Sequence, residues 1–329
     1  MRKSYAIAAL GLALVGAPAS ANDTSVTLGL GGLEIARTEA IEMKSEDLFI
    51  SMDRIAVRYV FRNKGTADVK TLVAFPLPDL RADLQESPVD IPAPDSPNFV
   101  DFKTKVDGVD IPLQVENQAI FKGQDRTADL MALGAPLNPL APSFSNQIAK
   151  LPPKSIAKLK ASGLIEADSI DQGQGAQVWY RPAWDLKTKF YREQTFPAGR
   201  DVVVEHEYRP VIGGTVAVIL NSPYLTAEDR LRYQTDYCAG PKFRKAVKPV
   251  NYETAQERWA SYILKTGANW AGPIADFKLT VDKGSPNNRV SFCGVGVKKV
   301  SPTRFEMRVK NFKPDKDLNV LFVIPNPQQ

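Results

Sequence analysis

Apolar and polar residues alternate along much of the chain, most clearly in the segment Phe190–Gly214. Successive side chains of a strand point to opposite sides, so one face of the second half carries Val202, Val204, His206 and Tyr208. Pro197-Ala198-Gly199 lies between the two halves, where proline presets φ for a turn and glycine tolerates positive φ. The segment is predicted to be a long β-hairpin.

The same period of two recurs on both sides of this hairpin. Leu48–Met52 and Ile55–Phe61 alternate in opposite phase, which predicts a bulge or tight turn at Asp53-Arg54. Asp107-Gly108 separates two further alternating runs and is a strong hairpin signal. Leu318–Ile324 is almost continuously apolar and is predicted to be a central strand covered on both faces. These patterns indicate a mainly β protein built of antiparallel β-sandwiches.

Residues 124–175 interrupt the strand pattern and are predicted to form a helical insertion. Thr127–Leu133 has helical character and stops at Gly134; Pro153–Ser162 begins with proline and stops at Gly163. The lysines of the second helix, Lys154, Lys158 and Lys160, are compatible with a basic lid or with an ordinary solvated helix face. We favour the solvated face, because short basic helix surfaces are common.

The first residues read as a secretory signal peptide, residues 1–21. Arg2 and Lys3 precede the apolar run Tyr5–Val15, and Ala19-Ser20-Ala21 is an A-x-A cleavage pattern. The apolar run is too short to cross a bilayer, and no other stretch is a candidate. We therefore expect cleavage after Ala21 and a soluble mature chain without an integral membrane segment. Such a chain would be secreted, or periplasmic in a Gram-negative bacterium.

The net charge of the mature chain does not indicate a nucleic-acid partner. The chain has 42 Lys+Arg and 37 Asp+Glu; removing Arg2 and Lys3 leaves 40 basic residues and a mature net charge of +3. A nearly balanced chain gives no electrostatic reason to expect a polyanionic partner. We predict no nucleic-acid partner.

Only two cysteines are present, Cys238 and Cys293. An even cysteine count in an exported protein favours one disulfide, because exported compartments are oxidising. The alternative is a pair of buried free thiols.

His206 is the one histidine of the chain and thus the obvious catalytic candidate. Its sequence neighbours Glu205 and Glu207 fall on the opposite face of the strand, so neither is placed to orient it. We interpret His206 as a core or interface residue satisfied by a hydrogen bond. No G-x-S-x-G elbow supports a serine hydrolase.

No pattern for a metal or cofactor site is recognisable. One histidine and two cysteines leave only carboxylates, and no spacing resembles a zinc site, an EF-hand or a P-loop. The prediction is no metal and no cofactor. A glycosidase needs only two carboxylates, and nothing in the sequence singles out a pair.

Four aromatic residues lie close together in sequence beside the insertion: Trp179, Tyr180, Trp184 and Tyr191. Planar rings stack on sugars and anchor protein interfaces, so these four could line a glycan- or peptide-binding groove. Ordinary packing in the sandwich core or at its edge is the alternative, and we favour it. Trp270, before Gly272-Pro273, is predicted to anchor a turn.

Several motifs resemble one bacterial exported family, catalogued as domain of unknown function 4424. They include SEDLFIS at Ser45–Ser51, VAFPLPD at Val73–Asp79, FPAGRDVVVEHEYRP in the central hairpin, NWAGPI at Asn269–Ile274 and VSFCG at Val290–Gly294. The resemblance covers essentially the whole mature chain and implies no known activity. It supports pairing Cys238 with Cys293, because both cysteines lie in matching motifs.

A weaker resemblance is to the VIT domain of inter-alpha-trypsin-inhibitor heavy chains, a β-sandwich associated with protein interactions. The shared pattern is VRYVFRN, FPLP, VDGVDIP and the FPAG turn before VVVEHEY. It implies a VIT-like N-terminal lobe over residues 22–212, interrupted by the insertion, and a second β-rich lobe over residues 213–329.

Taken together, these patterns favour an exported, non-catalytic binding protein of the bacterial envelope, whose partner is another envelope protein or a glycan. Two alternatives are a carboxylate-dependent hydrolase acting on envelope glycans and a structural envelope component. A hydrolase requires a cleft with two close carboxylates or a histidine–carboxylate pair. A binding protein requires an exposed apolar or aromatic patch, and a structural component an oligomeric assembly.

Overall fold

The computed structural model describes residues 24–29, 32–35, 38–171, 176–248, 250 and 254–325. The predicted signal peptide lies outside this part of the chain. Within it, no helix combines the length and apolar character needed to span a membrane.

The strands follow one another along the whole described chain. In chain order they are β1 Thr24–Gly29, β2 Gly32–Ile35, β3 Ile41–Ile50, β4 Ile55–Asn63, β5 Val69–Pro76, β6 Val89–Asp90, β7 Lys103–Val106, β8 Val109–Asp110, β9 Gln114–Phe121, β10 Gln124–Asp125, β11 Ile165–Asp171, β12 Ala176–Pro182, β13 Asp185–Phe196, β14 Asp201–Tyr208, β15 Ile212–Gly214, β16 Gln256–Tyr262, β17 Ile274–Asp282, β18 Arg289–Phe292, β19 Lys298–Lys299, β20 Arg304–Phe312 and β21 Leu318–Ile324.

The helices are short and fall in two groups. The α-helices are α1 Thr127–Leu133, α2 Phe144–Ala149, α3 Pro153–Ala161, α4 Ala227–Tyr237 and α5 Pro241–Val247; 3₁₀ helices occupy Ala82–Glu86, Ile219–Asn221 and Lys265–Asn269. The first three α-helices lie in the predicted insertion. The mainly β prediction with a helical insertion is therefore confirmed.

Four sheets are formed by the described strands. The eight-stranded sheet has the order β19-β20-β17-β3-β4-β14-β7-β8, the six-stranded sheet β10-β9-β13-β5-β1-β2 and the five-stranded sheet β18-β21-β16-β15-β6, while β11 and β12 form a separate hairpin. Neighbouring strands are antiparallel except β3 and β17, which are parallel. The eight-stranded sheet takes strands from both sides of residues 212/213, so the boundary between lobes stays a prediction.

The predicted hairpin over Phe190–Gly214 is wrong: β13 pairs with β5 and β9 in the six-stranded sheet, whereas β14 pairs with β4 and β7 in the eight-stranded sheet. The turn at Pro197-Ala198-Gly199 carries the chain from one sheet to the other, so the apolar faces of the two strands meet in the core instead of lying side by side.

The eight-stranded sheet packs against both of the smaller sheets in one main core. Phe75 of the six-stranded sheet lies 5.1 Å from the His206 ring of the eight-stranded sheet and 6.1 Å from the Tyr262 ring of the five-stranded sheet, between ring centroids. Phe61 and Phe277 add fully buried rings from the eight-stranded sheet. All three sheets thus share a single apolar interior.

Strand β21 is covered on both faces, as its continuous apolar sequence predicts. Val320 and Phe322 point into the main core, while Leu321 and Val323 point into a second apolar cluster beneath α4 and α5. The two sets alternate because side chains of a strand alternate between faces. Because both faces of this strand are buried, neither face favours polar residues, which explains the almost continuously apolar sequence.

The layer formed by α4 and α5 is tied to the sheets by a buried carboxylate and by the disulfide. Glu257 of β16 accepts hydrogen bonds from the Tyr233 hydroxyl of α4 and, at 2.7 Å, from the Leu220 backbone N–H. Cys238, which ends α4, is bonded to Cys293 after β18, with an S–S distance of 2.12 Å. The structure therefore confirms the disulfide.

The phase change between β3 and β4 is a tight turn. The Ser51 N–H donates to the Arg54 carbonyl oxygen over 2.9 Å, and Leu48 pairs with Val57. A bulge is present as well, but it lies between Met43 and Ser45.

Removing the disulfide is expected to lower the free energy of unfolding. The bond closes a loop with a sequence separation of 55, which corresponds to about 4 kcal/mol in the chain-entropy model. We expect urea denaturation of the double variant Cys238→Ser/Cys293→Ser to show a loss of this order. Wild-type protein in reductant is the control and should lose a similar amount; an unchanged midpoint in both would contradict the prediction.

Candidate ligand-binding site

His206 lies in the main core, as its face of β14 predicts. The residue is 2 % exposed, and its Nδ1 is 2.7 Å from the Thr104 hydroxyl of β7. Phe75 and Phe102 pack against the imidazole with ring centroids 5.1 and 5.0 Å away. The burial and the hydrogen bond agree with the expected core histidine; whether His206 has a functional role stays open to experiment.

Further buried polar groups lie near His206. The hydroxyls of Tyr59 and Tyr262 are 2.8 Å apart, and the Tyr262 hydroxyl donates to Glu46 Oε1 over 3.3 Å. Glu46 and Tyr59 face each other across β3 and β4, while Tyr262 reaches them from the five-stranded sheet. Burial, together with Tyr59 and Glu46, raises the pKa of Tyr262 well above its ordinary value. This polar cluster joins two sheets inside the core.

The four predicted aromatic residues do not form one surface. Trp184 is fully buried beneath the insertion and donates from Nε1 to the Leu137 carbonyl oxygen over 2.8 Å. Tyr191 packs against Ala74 in a separate small cluster on the six-stranded sheet. Only Trp179, which is 52 % exposed, and the half-buried Tyr180 line a common groove. Their binding role is still a prediction.

A small, mainly apolar pocket lies where the ends of the three sheets meet. We call it the junction pocket. Its walls come from the segment after β5, from the end of β14 and from the five-stranded sheet, and they include Leu77, Asp79, Tyr208, Val211, Gly213 and Trp259. The pocket encloses a cavity of about 80 Å³. A mainly apolar hollow with a few polar groups is the usual form of a small binding site.

Trp259 forms one wall of the junction pocket, and its position depends on Gly213. The two residues are paired across β15 and β16, and the indole covers the glycine. A Cβ atom at position 213 would lie only 2.2 Å from the Trp259 Nε1 atom. Glycine is therefore required at position 213 for the ring to keep this position.

Asp79 supplies a carboxyl group to the wall of the junction pocket. Its Oδ1 atom is buried and, within the described part of the chain, has no hydrogen-bond partner. Lys187 approaches the other oxygen only to 3.9 Å, and both side chains are partly exposed. Burial raises the pKa of Asp79 above its ordinary value and outweighs the opposing effect of Lys187.

Tyr208 brings a phenol to the same pocket. Its ring belongs to the main core and packs against Phe75 and Phe102, with centroids 5.8 and 5.4 Å away. Burial raises the pKa of the Tyr208 hydroxyl well above its ordinary value, so the group is a neutral phenol at physiological pH. A neutral hydroxyl can both donate and accept one hydrogen bond to a ligand.

A larger and more open groove adjoins the junction pocket. Trp179 and Arg181 of β12, Gln85 and Ser145 line it, and its volume is about 450 Å³. Leu84 and Val89 line both the groove and the pocket, so the two hollows adjoin at these residues. This region therefore has two parts: the small, mainly apolar junction pocket and, beside it, the larger and more polar groove.

The sequence prediction missed Trp259, Asp79 and Tyr208 as pocket residues. Gly213-Gly214, shortly after β14, was an available signal, because two adjacent glycines at a strand allow a large ring to approach the backbone. Among the described residues, no three or more His, Cys, Asp or Glu side chains are grouped in a way that could hold a metal ion.

The sequence profile of one family, described as a domain of unknown function (DUF4424), matches residues 21–321. The chain belongs to this family. No curated protein matches the sequence. Among solved structures, the chain is similar to a putative nutrient binding protein of Legionella pneumophila subsp. pneumophila str. Philadelphia 1, with 17 % sequence identity and a TM-score of 0.47. That likeness covers 93 % of this chain and 70 % of the other.

Replacing Gly213 by alanine is expected to displace Trp259 and destabilise the protein by about 1–3 kcal/mol, as overpacking of a filled site does. The measurement is urea denaturation, combined with the NMR shift of the Trp259 indole N–H. Gly240→Ala is the matched control, since nothing lies within 4 Å of a Cβ atom there. Equal stability of the two variants would show that the indole can move away freely.

Replacing Asp79 by asparagine is expected to raise the free energy of unfolding at neutral pH. The folded-state pKa of Asp79 lies above its ordinary value of 3.8, so the folded protein binds a proton more readily than the unfolded chain. The ionised carboxylate therefore opposes folding above the folded-state pKa, and this cost disappears below the unfolded-state pKa. Urea denaturation at pH 7.5 and pH 3.5 should show a gain only at the higher pH.

The exposed aspartate Asp315, in the loop between β20 and β21, provides the control. Asp315→Asn should leave the free energy of unfolding nearly unchanged at both pH values. A loss of stability in Asp79→Asn at pH 7.5 would show that Lys187 outweighs burial, contrary to the expectation.

Proposed function

We propose that the protein is an exported, non-catalytic binding protein of the bacterial envelope that holds an extended segment of another envelope protein. An apolar side chain of that segment occupies the junction pocket, and the flanking residues lie along the adjoining groove. The cleavage pattern at Ala21 and the disulfide between Cys238 and Cys293 are compatible with export.

The observation that carries the proposal is the size and lining of the junction pocket. A water molecule needs a cavity of roughly 10–15 Å³, whereas pockets for whole small molecules measure about 300–1,000 Å³. The cavity of about 80 Å³ lies between these limits and suits one aliphatic or small aromatic side chain. Its lining is mostly apolar, and Asp79 and Tyr208 are the lining residues that carry a carboxyl and a phenol for polar contacts with a ligand.

The adjoining groove supports an extended ligand. Because Leu84 and Val89 border both hollows, a chain anchored in the pocket can continue into the groove without leaving the surface. An extended chain advances about 3.3 Å per residue, so a few residues reach from one hollow to the other. Val89 also belongs to β6, the terminal strand of the five-stranded sheet. Terminal strands are common sites for binding extended peptides.

The test is a selection from a displayed library of random octapeptides, followed by fluorescence polarisation with the enriched sequence. We expect enrichment of a single aliphatic or aromatic anchor. Val211→Trp, which fills the pocket from a wall that the groove does not share, should weaken binding at least about tenfold, the effect of losing a central anchor.

Two further variants make the result decisive. Leu84→Trp fills the pocket from another wall and should act like Val211→Trp, whereas Leu231→Trp on the exposed face of α4 should bind like wild type. Circular dichroism establishes that each variant is folded. Peptides without an anchor residue, unchanged affinity in both filled variants, or turnover of peptidoglycan fragments by the purified protein would overturn the proposal.

A further inference from the structure

Trp179 is unusual among the described tryptophans because its ring is largely open to solvent. Trp179 is 52 % exposed, whereas Trp184 and Trp270 are 0 % and 3 % exposed. The half-buried Trp259 is packed against Gly213. An indole left open to water costs hydrophobic free energy, and tryptophan is enriched at the centres of protein interfaces.

The hairpin formed by β11 and β12 gives this tryptophan acidic neighbours. The register pairs Trp179 with Asp168 and Arg181 with Glu166. Directly paired residues point to the same side, and residues two apart share a face, so all four lie on one face of the hairpin. We call this set the Trp179 face. Its two carboxylates and one guanidinium leave an excess of one negative charge.

The internal ion pairs of this face do not lock it against a ligand. Arg181 approaches Asp168 to 2.5 Å and Glu166 to 3.7 Å, and the three charged side chains are 44–72 % exposed. Ion pairs with this exposure contribute little to stability, so a cation from a partner can share or replace the guanidinium at small cost. The indole face itself attracts a cation placed within about 6 Å of its centre.

We infer that the Trp179 face is the second contact surface of the bound segment, and that it takes a lysine or arginine side chain. The inference rests on the proposed function and specifies the chemistry of the partner: an extended segment with an apolar anchor and, a few residues away, a basic residue. The groove adjoins the junction pocket at Leu84 and Val89 and is lined by Trp179. A segment whose anchor occupies the pocket therefore reaches Trp179 through the groove. Arginine is the better fit, because its planar group stacks on indole while bonding a carboxylate.

The first experiment probes the Trp179 face alone. The protein is titrated into fluorescently labelled tetra-arginine amide, and the fluorescence polarisation of the peptide is followed in the wild type and in every variant, with labelled tetra-glutamine amide as the uncharged probe. We expect about fivefold weaker tetra-arginine binding in Trp179→Ala, the effect of one exposed cation–π contact. Asp168→Asn/Glu166→Gln should weaken it as well. Tyr224→Ala, at a tyrosine that is 90 % exposed in the segment before α4, is the control and should bind like wild type.

Filling the junction pocket separates this inference from the proposed function. Val211→Trp should leave tetra-arginine binding unchanged, because Val211 does not line the groove. Equal affinity of tetra-arginine for wild type, Trp179→Ala and the double carboxylate variant would overturn the inference.

The octapeptide selection provides the second measurement. Peptides enriched on the wild type should carry lysine or arginine at a fixed distance from the apolar anchor, and peptides enriched on Trp179→Ala should keep the anchor and lose the basic residue. Anchored peptides with the same basic content on both proteins would overturn the inference and leave the proposed function standing. A selection that enriches no anchored peptide on either protein would overturn the proposed function instead.

Discussion

The structure depends on one packing constraint: a single eight-stranded sheet is covered by two smaller sheets. With strands about 4.8 Å apart, the large sheet is roughly 34 Å wide, and its inward face is mainly apolar from β20 to β7. The two covering sheets must meet above this face, and they do so at the contact between Phe75 and Tyr262. Where the ends of the sheets come together, the side chains leave the junction pocket between them.

The polar groups inside the core have a consistent structural explanation. Tyr262 of the five-stranded sheet reaches both Tyr59 and Glu46 of the eight-stranded sheet. Hydrogen bonds between buried groups are strong because the surroundings are of low dielectric, and leaving one unmade is costly. A shift of one sheet against the other would break these bonds, whereas contacts between apolar side chains could be replaced by others. The cluster therefore favours one relative position of the two sheets.

Local sequence patterns were sufficient for the elements that depend on neighbouring residues. The double covering of β21 could be predicted from its continuous apolar sequence, and the start of α4 from Thr226, whose hydroxyl accepts from the Asp229 N–H at 3.0 Å. The alternation within β14 placed His206 on an inward face by period alone. Each of these features is determined within about ten residues of chain, where spacing and turn chemistry dominate. The pairing of β14 with β13, by contrast, was predicted wrongly, because strand pairing is decided here by contacts distant in sequence.

The candidate site could not be predicted in the same way, because it is made by contacts that are distant in sequence. Asp79, Tyr208 and Trp259 meet only after three sheets have assembled, and no local period encodes that assembly. The sequence cluster of aromatic residues was misleading for the same reason. Trp184 and Tyr191 lie within 12 positions of Trp179, yet the three rings lie in different places: Trp184 precedes β13 and is buried beneath the insertion, Tyr191 lies in β13, and Trp179 lies on the separate hairpin.

One residue of the junction pocket and one of the Trp179 face share a further property: each is less favourable to the folded protein than an obvious substitute. Asp79 is a carboxylate whose charge is disfavoured by burial, and Trp179 exposes an indole to water. Residues that only support a fold are expected to agree with their surroundings, and disagreement tends to concentrate where a ligand completes the contacts. Asp79 lines the junction pocket and Trp179 lines the adjoining groove, and these two disagreements are the strongest physical reason to propose a ligand site in this region.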